Sequence, residues 1–146
     1  MNNLAFIGRN GLGKGLSDLL SAFNKLRDIP ITLHVFSDSI DIKPSNVIWH
    51  GWLDRDEIWR IDFDYVCLPM NAPETYCFAM HEAVKNQKGL IVNGENESLT
   101  SQILSGAKIY NGLEDLRRII IALAQDKRKE VELVTLKRKR SIWERI

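Results

Sequence analysis

The chain has 146 residues, of which 45% are hydrophobic and 27% are charged, and its formal net charge is +1. These values are typical of an ordinary soluble globular protein, and the length favours one domain over residues 1–146 with a sizeable core. No apolar run approaches the ~18 residues of a transmembrane helix. No signal-peptide pattern is present either, so we expect neither a membrane span nor a secretion signal.

In chain order, the first expected elements are a short apolar strand at Leu4–Ile7 and a glycine-rich loop at residues 8–15. Apolar residues at helical spacing predict the helix that follows, and these are Leu16, Leu19, Leu20, Phe23 and Leu26. The run Asp28–Pro30 ends this helix. Strands are then predicted at Ile31–Phe36 and at Val47–His50.

The middle of the chain continues the alternation of helices and strands. Asp54, with Glu57 three residues later, predicts an N-cap and capping box for a short helix through Ile61. The remaining predicted strands are Tyr65–Leu68, Leu90–Val92 (opened by Gly89) and Ala107–Tyr110. The remaining predicted helices are one ahead of Gly89, a short piece near Leu99–Leu104, an amphipathic helix at Leu113–Ala124 and a last stretch to Trp143 or beyond.

The alternation of short apolar strands with helices predicts the architecture. Strands that are apolar on both faces are typical of a mostly parallel sheet covered on both sides. We therefore expect an α/β fold of three layers, α/β/α, with about six strands. Such sheets bind ligands at the carboxyl ends of their strands, where the glycine-rich loop and the loop after Leu68 both lie.

The loop after the fourth predicted strand carries two carboxylates in the run N-A-P-E-T-Y-C-F-A-M-H-E-A-V at Asn71–Val84. Pro73 favours a loop before Glu74, so Glu82 would lie one to two turns inside the following helix. The first N–H groups of that helix, near Thr75–Phe78, would bind phosphate. Two carboxylates beside such a helix start suit a nucleotide-sugar, although glutamates at this offset also occur on solvated helix faces.

The glycine-rich loop admits three interpretations. Gly8, four residues and then Gly13-Lys14 approach a P-loop, but Gly15 stands where Ser or Thr would hold magnesium, and no Walker-B acidic strand end is evident. A plain glycine turn without function is the second interpretation. The third is a phosphate site in which Arg9 supplies a forked donor and Lys14 a point charge, and this interpretation fits the residues best.

The order of short motifs along the chain resembles that of a known family. The motifs are G-R, four residues and K-G; then N-V-I-W-H-G-W; then D-Y-V-C-L-P; and then E-x7-E-A. Together they resemble the nucleotide-sugar-binding half of retaining glycosyltransferases of family four (glycosyl transferases group 1). The ending S-I-W-E-R-I at Ser141–Ile146 resembles that family's last helix before its crossover. The resemblance covers nearly the whole chain, and it implies a Rossmann-like domain that is one half of a GT-B fold.

The resemblance implies a role for each matching residue. Arg9 and Lys14 match the basic pair that binds the donor diphosphate and stabilises charge on the leaving nucleotide. Glu82 would accept hydrogen bonds from ribose hydroxyls, and Glu74 would lie against the donor sugar. The backbone beneath the phosphates would come from Cys77, Phe78 and Ala79. The expected substrate-binding set is thus Gly8, Arg9, Lys14, Glu74, Cys77, Phe78, Ala79 and Glu82, with Arg9, Lys14 and Glu74 expected to be catalytic.

The implied substrate is a UDP-, GDP- or similar nucleotide-sugar, from which a hexose-type sugar passes to a glycan or lipid-linked acceptor in surface polysaccharide synthesis. Preorganised cations and amides can stabilise the diphosphate charge that develops, so we expect neither metal nor cofactor. The resemblance implies that the acceptor is bound in a second, N-terminal domain, and we expect that domain to be absent from this chain. We therefore expect an isolated donor-binding domain that binds nucleotide but does not transfer sugar by itself.

Departures from the family pattern keep an alternative open. The family usually has glycines after the first glutamate, as in E-G-F-G, whereas this chain has Thr75 and Cys77. Their side chains would crowd the close approach of the backbone to the donor. The usual Gly and Pro after the second glutamate's helix are replaced by Asn86–Gly89. A non-catalytic α/β interaction module that kept the fold and lost nucleotide binding is therefore the alternative.

The C-terminal stretch is basic, with eight Lys or Arg and three Glu from Lys127 onward. Such a stretch can contact anionic lipid or nucleic acid, or it can be the solvated face of a terminal helix. We expect a cytoplasmic protein without a nucleic-acid partner; the solvated face is the favoured interpretation, and peripheral contact with the inner face of the membrane is the alternative. Cys67 and Cys77 lack metal-ligand spacing and are expected to be buried thiols in a reducing compartment.

The histidines and tryptophans give weaker signals. His34, His50 and His81 show no ligand spacing, and His81 is expected on a helix surface or at the edge of the core. Trp49, Trp52 and Trp59 are expected in the core or at an interface. The pair Gly51-Trp52 lies where such folds can border the nucleobase.

Overall fold

A computed structural model describes residues 3–9, 15–38, 44–73, 77–126 and 130–137. Its strands are β1 Leu4–Ile7, β2 Leu33–Phe36, β3 Val47–Trp49, β4 Tyr65–Leu68, β5 Gly89–Asn93, β6 Ile103–Ser105, β7 Lys108–Tyr110 and β8 Thr135–Leu136. Its helices are α1 Leu16–Asn24, α2 Arg55–Ile58, α3 Phe78–Lys85, α4 Glu97–Thr100 and α5 Gly112–Gln125.

Six strands form one parallel sheet in the order β3-β2-β1-β4-β5-β7. At the centre of the sheet, Leu4 of β1 is in register with Leu33 of β2 on one side and with Tyr65 of β4 on the other. The chain moves outward from β1 in one direction and from β4 in the other, so the strand order reverses between them. The sheet and its flanking helices confirm the α/β, three-layer, Rossmann-like architecture expected from the sequence.

The sheet is buried on both faces because its side chains alternate between two apolar clusters. On β4, Tyr65 and Cys67 join one cluster, while Val66 and Leu68 join the other. We call the first the α1/α5 cluster, since α1 and α5 supply Leu16, Leu19, Ala22, Phe23, Leu116, Ile120, Leu123 and Ala124. We call the second the α2/α3 cluster, which contains Ile58, Phe63, Met80, Ala83 and Leu99.

The two long helices follow the sequence prediction closely. In α1, Leu16, Leu19 and Phe23 are buried at helical spacing, as expected. The helix ends at Asn24, one turn before Asp28–Pro30, and Leu26 is buried just beyond its end. In α5, the buried residues are Leu116, Ile120, Leu123 and Ala124, one face of an amphipathic helix.

The predicted capping box is wrong in its details. Asp54 precedes α2, but its side chain makes no capping hydrogen bond, and the helix ends at Ile58 rather than Ile61. The backbone carbonyl of Asp54 instead accepts from the N–H groups of Glu57 and Ile58, both at 3.0 Å. Bonds between residues three apart continue the turn, since the Ile61 N–H donates to the carbonyl of Ile58 at 3.1 Å. The helical segment was therefore placed correctly, but its last turn is tighter than an α-helix.

Two predicted helical stretches are strands in part. The segment near Leu99–Leu104 overlaps only the end of α4 and then continues into β6, which pairs antiparallel with β8. The last predicted helix is wrong at residues 130–137, where β8 lies, while residues 138–146, with the S-I-W-E-R-I motif, fall outside the described residues. Gly106, at φ +93°, allows this pairing because a Cβ there would lie 2.2 Å from the Leu133 carbonyl oxygen. Short apolar runs do not distinguish helix from strand, and here the pairing of β6 with β8 determined that both segments are strands.

Cys67 and Cys77 are both buried and form no disulfide, as expected. Burial raises the pKa of the Cys67 thiol to about 12. None of the helices within the described ranges is long and apolar enough to cross a bilayer. Most of the basic C-terminal stretch lies outside those ranges.

Candidate functional site

A cleft of about 400 Å³ opens at the carboxyl edge of the sheet, where β1 and β4 end. Its wall consists of Phe6, Ile7, Gly8, Trp52, Leu53, Asp54, Arg55, Ile58, Met70, Cys77, Phe78, Ala79 and Glu82. The cleft therefore lies where the strand order reverses between β1 and β4, the position at which open parallel sheets bind their ligands.

Gly15 brings the start of α1 against the end of β4. Its φ is +76°, and a Cβ built there would lie 2.2 Å from the carbonyl oxygen of Pro69. Only glycine accepts both this backbone conformation and this close approach. The last glycine of the glycine-rich loop thus lies directly beside the carboxyl end of β4.

Five of the eight residues predicted for the site line this one cleft: Gly8, Cys77, Phe78, Ala79 and Glu82. Arg9 follows Gly8 at the same edge of the sheet and is exposed, but it is not part of the wall. Lys14 and Glu74 lie outside the described residues, so their roles stay predictions. The structure thus brings Gly8, at the start of the glycine-rich loop, to the same edge of the sheet as Glu82 of α3.

The start of α3 faces the cleft. Phe78 is the first residue of the helix, and Cys77 precedes it with an extended backbone whose side chain makes no capping hydrogen bond. The first N–H groups of an α-helix have no partner within the helix, and together with the helix dipole they favour an anion. Cys77, Phe78 and Ala79 lie at this helix start, and their contact with phosphate stays a prediction.

Glu82 is engaged by two side chains that the sequence analysis did not assign to the site. Trp59 Nε1 donates a hydrogen bond to Glu82 Oε2 at 2.9 Å, and Arg55 Nε lies 3.1 Å from Oε1. The Arg55 guanidinium also lies 5.1 Å from the ring centroid of Phe78. The sequence signal that could have paired Arg55 with Trp59 was their spacing, because residues four apart on a helical turn share one face.

The tryptophans differ in their environments. Trp52 is 63% exposed and lines the cleft, so it does not belong to the core. Phe78 is 59% exposed on the same cleft wall. Trp49 instead packs at the margin of the α1/α5 cluster, and Trp59 packs against Phe63 with ring centroids 5.6 Å apart.

Two buried asparagines hold the loop that leads from β4 towards Glu74. Asn96 Nδ2 donates to the carbonyl oxygens of Met70 at 2.9 Å and of Ala72 at 3.0 Å. Asn93 Nδ2 donates to the carbonyl oxygen of Pro69 at 3.4 Å. Neither asparagine was singled out from the sequence. Their position at the end of the buried strand β5 and three residues beyond it was the signal that could have identified them.

His34 and His50 form a pair on the sheet, apart from the cleft wall. His34 Nδ1 and His50 Nε2 are 2.9 Å apart, although their positions in sequence gave no such indication. Burial lowers the pKa of both rings, and the charge of His50 lowers the pKa of His34 further while Asp62 opposes the shift. In the part of the chain that the structure describes, no three His, Cys, Asp or Glu side chains cluster as metal ligands would.

Comparison with known proteins gives structural likeness at low sequence identity. No family model matches the chain, and no curated protein matches it. The structure is similar to that of Anabaena Alr3699/HepE, solved in complex with UDP and glucose, with a TM-score of 0.68 and 16% identity over 87% of this chain. The chain spans 40% of the length of that HepE chain.

Two further solved structures support the same architecture. The C-terminal domain of LpcC, a glycosyl transferase group 1 family protein from Francisella tularensis, gives a TM-score of 0.70 and 16% identity, over 88% of this chain and 77% of its own. Sucrose-phosphate synthase from Thermosynechococcus elongatus gives a TM-score of 0.67 and 15% identity, over 86% of this chain and 36% of its own. The fold of this chain is therefore that of the C-terminal domain of GT-B glycosyltransferases.

Proposed function

We propose that this chain binds a nucleotide-diphospho-sugar and is the donor-binding domain of a retaining glycosyltransferase. The observation that carries the proposal is the cleft between β1 and β4, where Gly8, the start of α3 and Glu82 share one wall. The likeness to HepE, which has been solved with UDP and with UDP-glucose, supports it.

In the proposed reaction, the start of α3 accepts the diphosphate and Glu82 accepts hydrogen bonds from the ribose. Arg9, exposed beside Gly8, and Lys14, from the predicted loop, stabilise negative charge on the diphosphate as the sugar–phosphate bond breaks. Glu74 contacts the donor sugar. The cations and amides supply the charge stabilisation, so the proposal includes no metal and no cofactor.

The first test is a calorimetric titration of the chain with UDP, GDP and ADP. One of them should bind in the micromolar range, and Arg9→Ala should weaken binding by about tenfold, because a charge-assisted phosphate contact is lost. Lys14→Ala should act in the same direction. Arg27→Ala is the matched control, because Arg27 is exposed beyond the end of α1, where it bonds Asn24. Absence of binding to all three nucleotides would refute the proposal.

The second candidate is an α/β interaction module that does not bind nucleotide. It is favoured by Glu82, whose two oxygens are already engaged by Arg55 and Trp59, and by the exposed rings of Trp52 and Phe78 on the cleft wall. The same titration separates the two functions. Only the donor-binding domain loses nucleotide affinity when Arg9 is replaced.

The whole reaction is part of the proposal. The donor sugar is a hexose-type sugar, and the acceptor is a glycan or lipid-linked saccharide of surface polysaccharide synthesis, bound by an N-terminal domain. The chain alone should show no sugar transfer from UDP- or GDP-sugars to such acceptors, and robust turnover would contradict this.

A cytoplasmic location with peripheral membrane contact through the basic C-terminal stretch completes the proposal. The chain should cosediment with vesicles of anionic lipid but not with neutral vesicles. Equal sedimentation with both kinds of vesicle would contradict the contact.

A further inference from the structure

Two side chains from the neighbouring α2 segment bind the Glu82 carboxylate, and each of them binds a different oxygen. Trp59 Nε1 donates to Oε2 at 2.9 Å, and Arg55 Nε lies 3.1 Å from Oε1. Arg55 is the first residue of α2 and Trp59 follows its last residue, so the two side chains lie on one face of that turn. The α2 segment thus presents one donor to each oxygen of the carboxylate.

Trp59 is the more firmly placed of the two donors. Its ring packs against Phe63, which is fully buried, at a centroid distance of 5.6 Å. Lys88 fixes Phe63 in turn, because its Nζ donates to the Phe63 carbonyl oxygen at 2.8 Å. Arg55, by contrast, is 67% exposed at its side chain, and an ion pair to such a residue is weakened by solvent and salt.

The two contacts leave acceptor capacity on Glu82. A carboxylate has about four lone-pair sites, and Trp59 and Arg55 use one on each oxygen. The Glu82 side chain lines the cleft and is 24% exposed, so its remaining lone pairs can be reached from the cleft. A fixed carboxylate with one available site on each oxygen matches two neighbouring hydroxyl donors, as a vicinal diol presents them.

We propose that Trp59, assisted by Arg55, is a positioning residue that orients the Glu82 carboxylate to select nucleotides whose ribose carries both the 2′- and the 3′-hydroxyl. The inference rests on the proposed function and adds a specificity device to it. A 2′-deoxyribose offers one donor fewer, so one desolvated acceptor on Glu82 would lose its partner. The site therefore discriminates against deoxyribonucleotides only while Glu82 is held in place.

The experiment compares the affinities of UDP, GDP and ADP with those of their 2′-deoxy forms by titration calorimetry. The wild-type chain should bind its preferred ribonucleotide about tenfold more tightly than the deoxy form. Trp59→Phe removes the N–H donor and keeps an aromatic ring against Phe63. In this variant the preference should fall to about twofold or less, with the affinity for the deoxy form nearly unchanged, since only the diol contact is lost.

Matched variants separate positioning from general damage. Trp49→Phe is the same chemical change on the other face of the sheet, and it should leave the preference intact. Trp59→His, which retains a ring N–H, should restore part of the preference. Arg55→Gln should lower it less than Trp59→Phe does, whereas Arg60→Gln, at an exposed position one residue after Trp59, should not lower it.

The outcomes distinguish this inference from the proposed function. Nucleotide binding with an unchanged preference in Trp59→Phe would overturn the positioning role and leave the proposed function standing. Equal wild-type affinity for ribose and deoxyribose forms would do the same. A wild-type chain that binds none of the nucleotides would overturn both. Equal weakening of both forms in Trp59→Phe would also overturn the inference, because it would indicate a merely structural role.

Discussion

The two faces of the sheet are built differently. The α1/α5 cluster is covered by helices of nine and 14 residues, whose apolar stripes are buried along their length. The α2/α3 cluster is covered by helices of four, eight and four residues, together with residues of β6 and β8. The cleft opens on this second face, between α2 and α3. Long helices exclude water from one face, whereas short segments leave a gap for a ligand on the other.

The largest expected effect tests this difference in packing. Phe23→Ala in α1 should lower the free energy of unfolding by about 3–5 kcal/mol, because it leaves a closed cavity in the α1/α5 cluster. Ile58→Ala in α2 should cost only about 2 kcal/mol, because the space it leaves adjoins the cleft, where solvent can enter. Urea unfolding measures both values.

The control for this pair is Ser21→Ala on the exposed side of α1, which should change stability by less than about 0.5 kcal/mol. An Ile58→Ala loss equal to that of Phe23→Ala would show that the two faces are packed alike.

The next effect concerns Gly15, the glycine that brings the start of α1 against the end of β4. Gly15→Ala should lower stability by about 3 kcal/mol and weaken nucleotide binding, because its Cβ would meet the Pro69 backbone in a left-handed conformation. Gly112→Ala is the matched control, since its φ is +83° but no heavy atom lies within 4 Å of the added Cβ. It should cost only about 1–2 kcal/mol by thermal or urea unfolding. Equal losses in both variants would show that the contact with Pro69 is easily relieved.

A smaller effect comes from the histidine pair beside the α2/α3 cluster. Burial lowers the pKa of His34 and His50 in the folded chain below the ordinary histidine value of 6.5. At a pH below that value, the unfolded chain therefore binds more protons than the folded chain does. Stability should therefore be full above about pH 6.5 and fall as the pH drops towards the lowered folded pKa values. The loss should stay below about 1 kcal/mol, because solvent screens half-buried rings. Unfolding titrations between pH 7.5 and 5.5 measure it, and His34→Gln should flatten the slope. An unchanged slope in that variant would contradict the assignment.

The least perturbing test uses the two cysteines, one in each cluster. Cys67 belongs to the α1/α5 cluster and Cys77 lines the cleft. Cys77 should react first with a thiol reagent in the native chain, and a bound nucleotide should slow it. Cys67 should react only on unfolding, since its raised pKa leaves almost no thiolate near neutral pH. Mass spectrometry of the labelled peptides, with Cys77→Ser as control, identifies the reacting thiol. Faster labelling of Cys67 would contradict the closed packing of its face.

Local structure is what the sequence predicted best. The strands Leu4–Ile7 and Tyr65–Leu68 were placed without error, and α1 and α5 were placed within a few residues. The apolar residues of these elements recur with a period that indicates which side is buried. The analysis also placed Gly8, Cys77, Phe78, Ala79 and Glu82 in one site, and the structure brings them to one cleft. The roles assigned to Arg9, Lys14 and Glu74 stay predictions.

Prediction failed where a residue's partner lies far away in the chain. The segment at residues 130–137 has no periodicity that separates helix from strand, and its pairing with β6 depends on the close approach that Gly106 permits. One local prediction failed as well: the Asp54 side chain makes no capping hydrogen bond, and only its backbone carbonyl accepts from the first turn. Trp59 was assigned only to the core or an interface, since its bond to Glu82 joins residues 23 positions apart.

The sequence by itself determined the layered parallel fold and the edge at which a ligand would bind. Both follow from hydrophobic periodicity and from the order of strands and loops, which are properties of neighbouring residues. Only the tertiary structure decided which side chains hold Glu82, how α2 and α3 form the walls of the cleft, and which strand pairs with the segment after α5. Those features arise from packing between distant segments, where shape and hydrogen-bond geometry select one partner among several that local patterns allow.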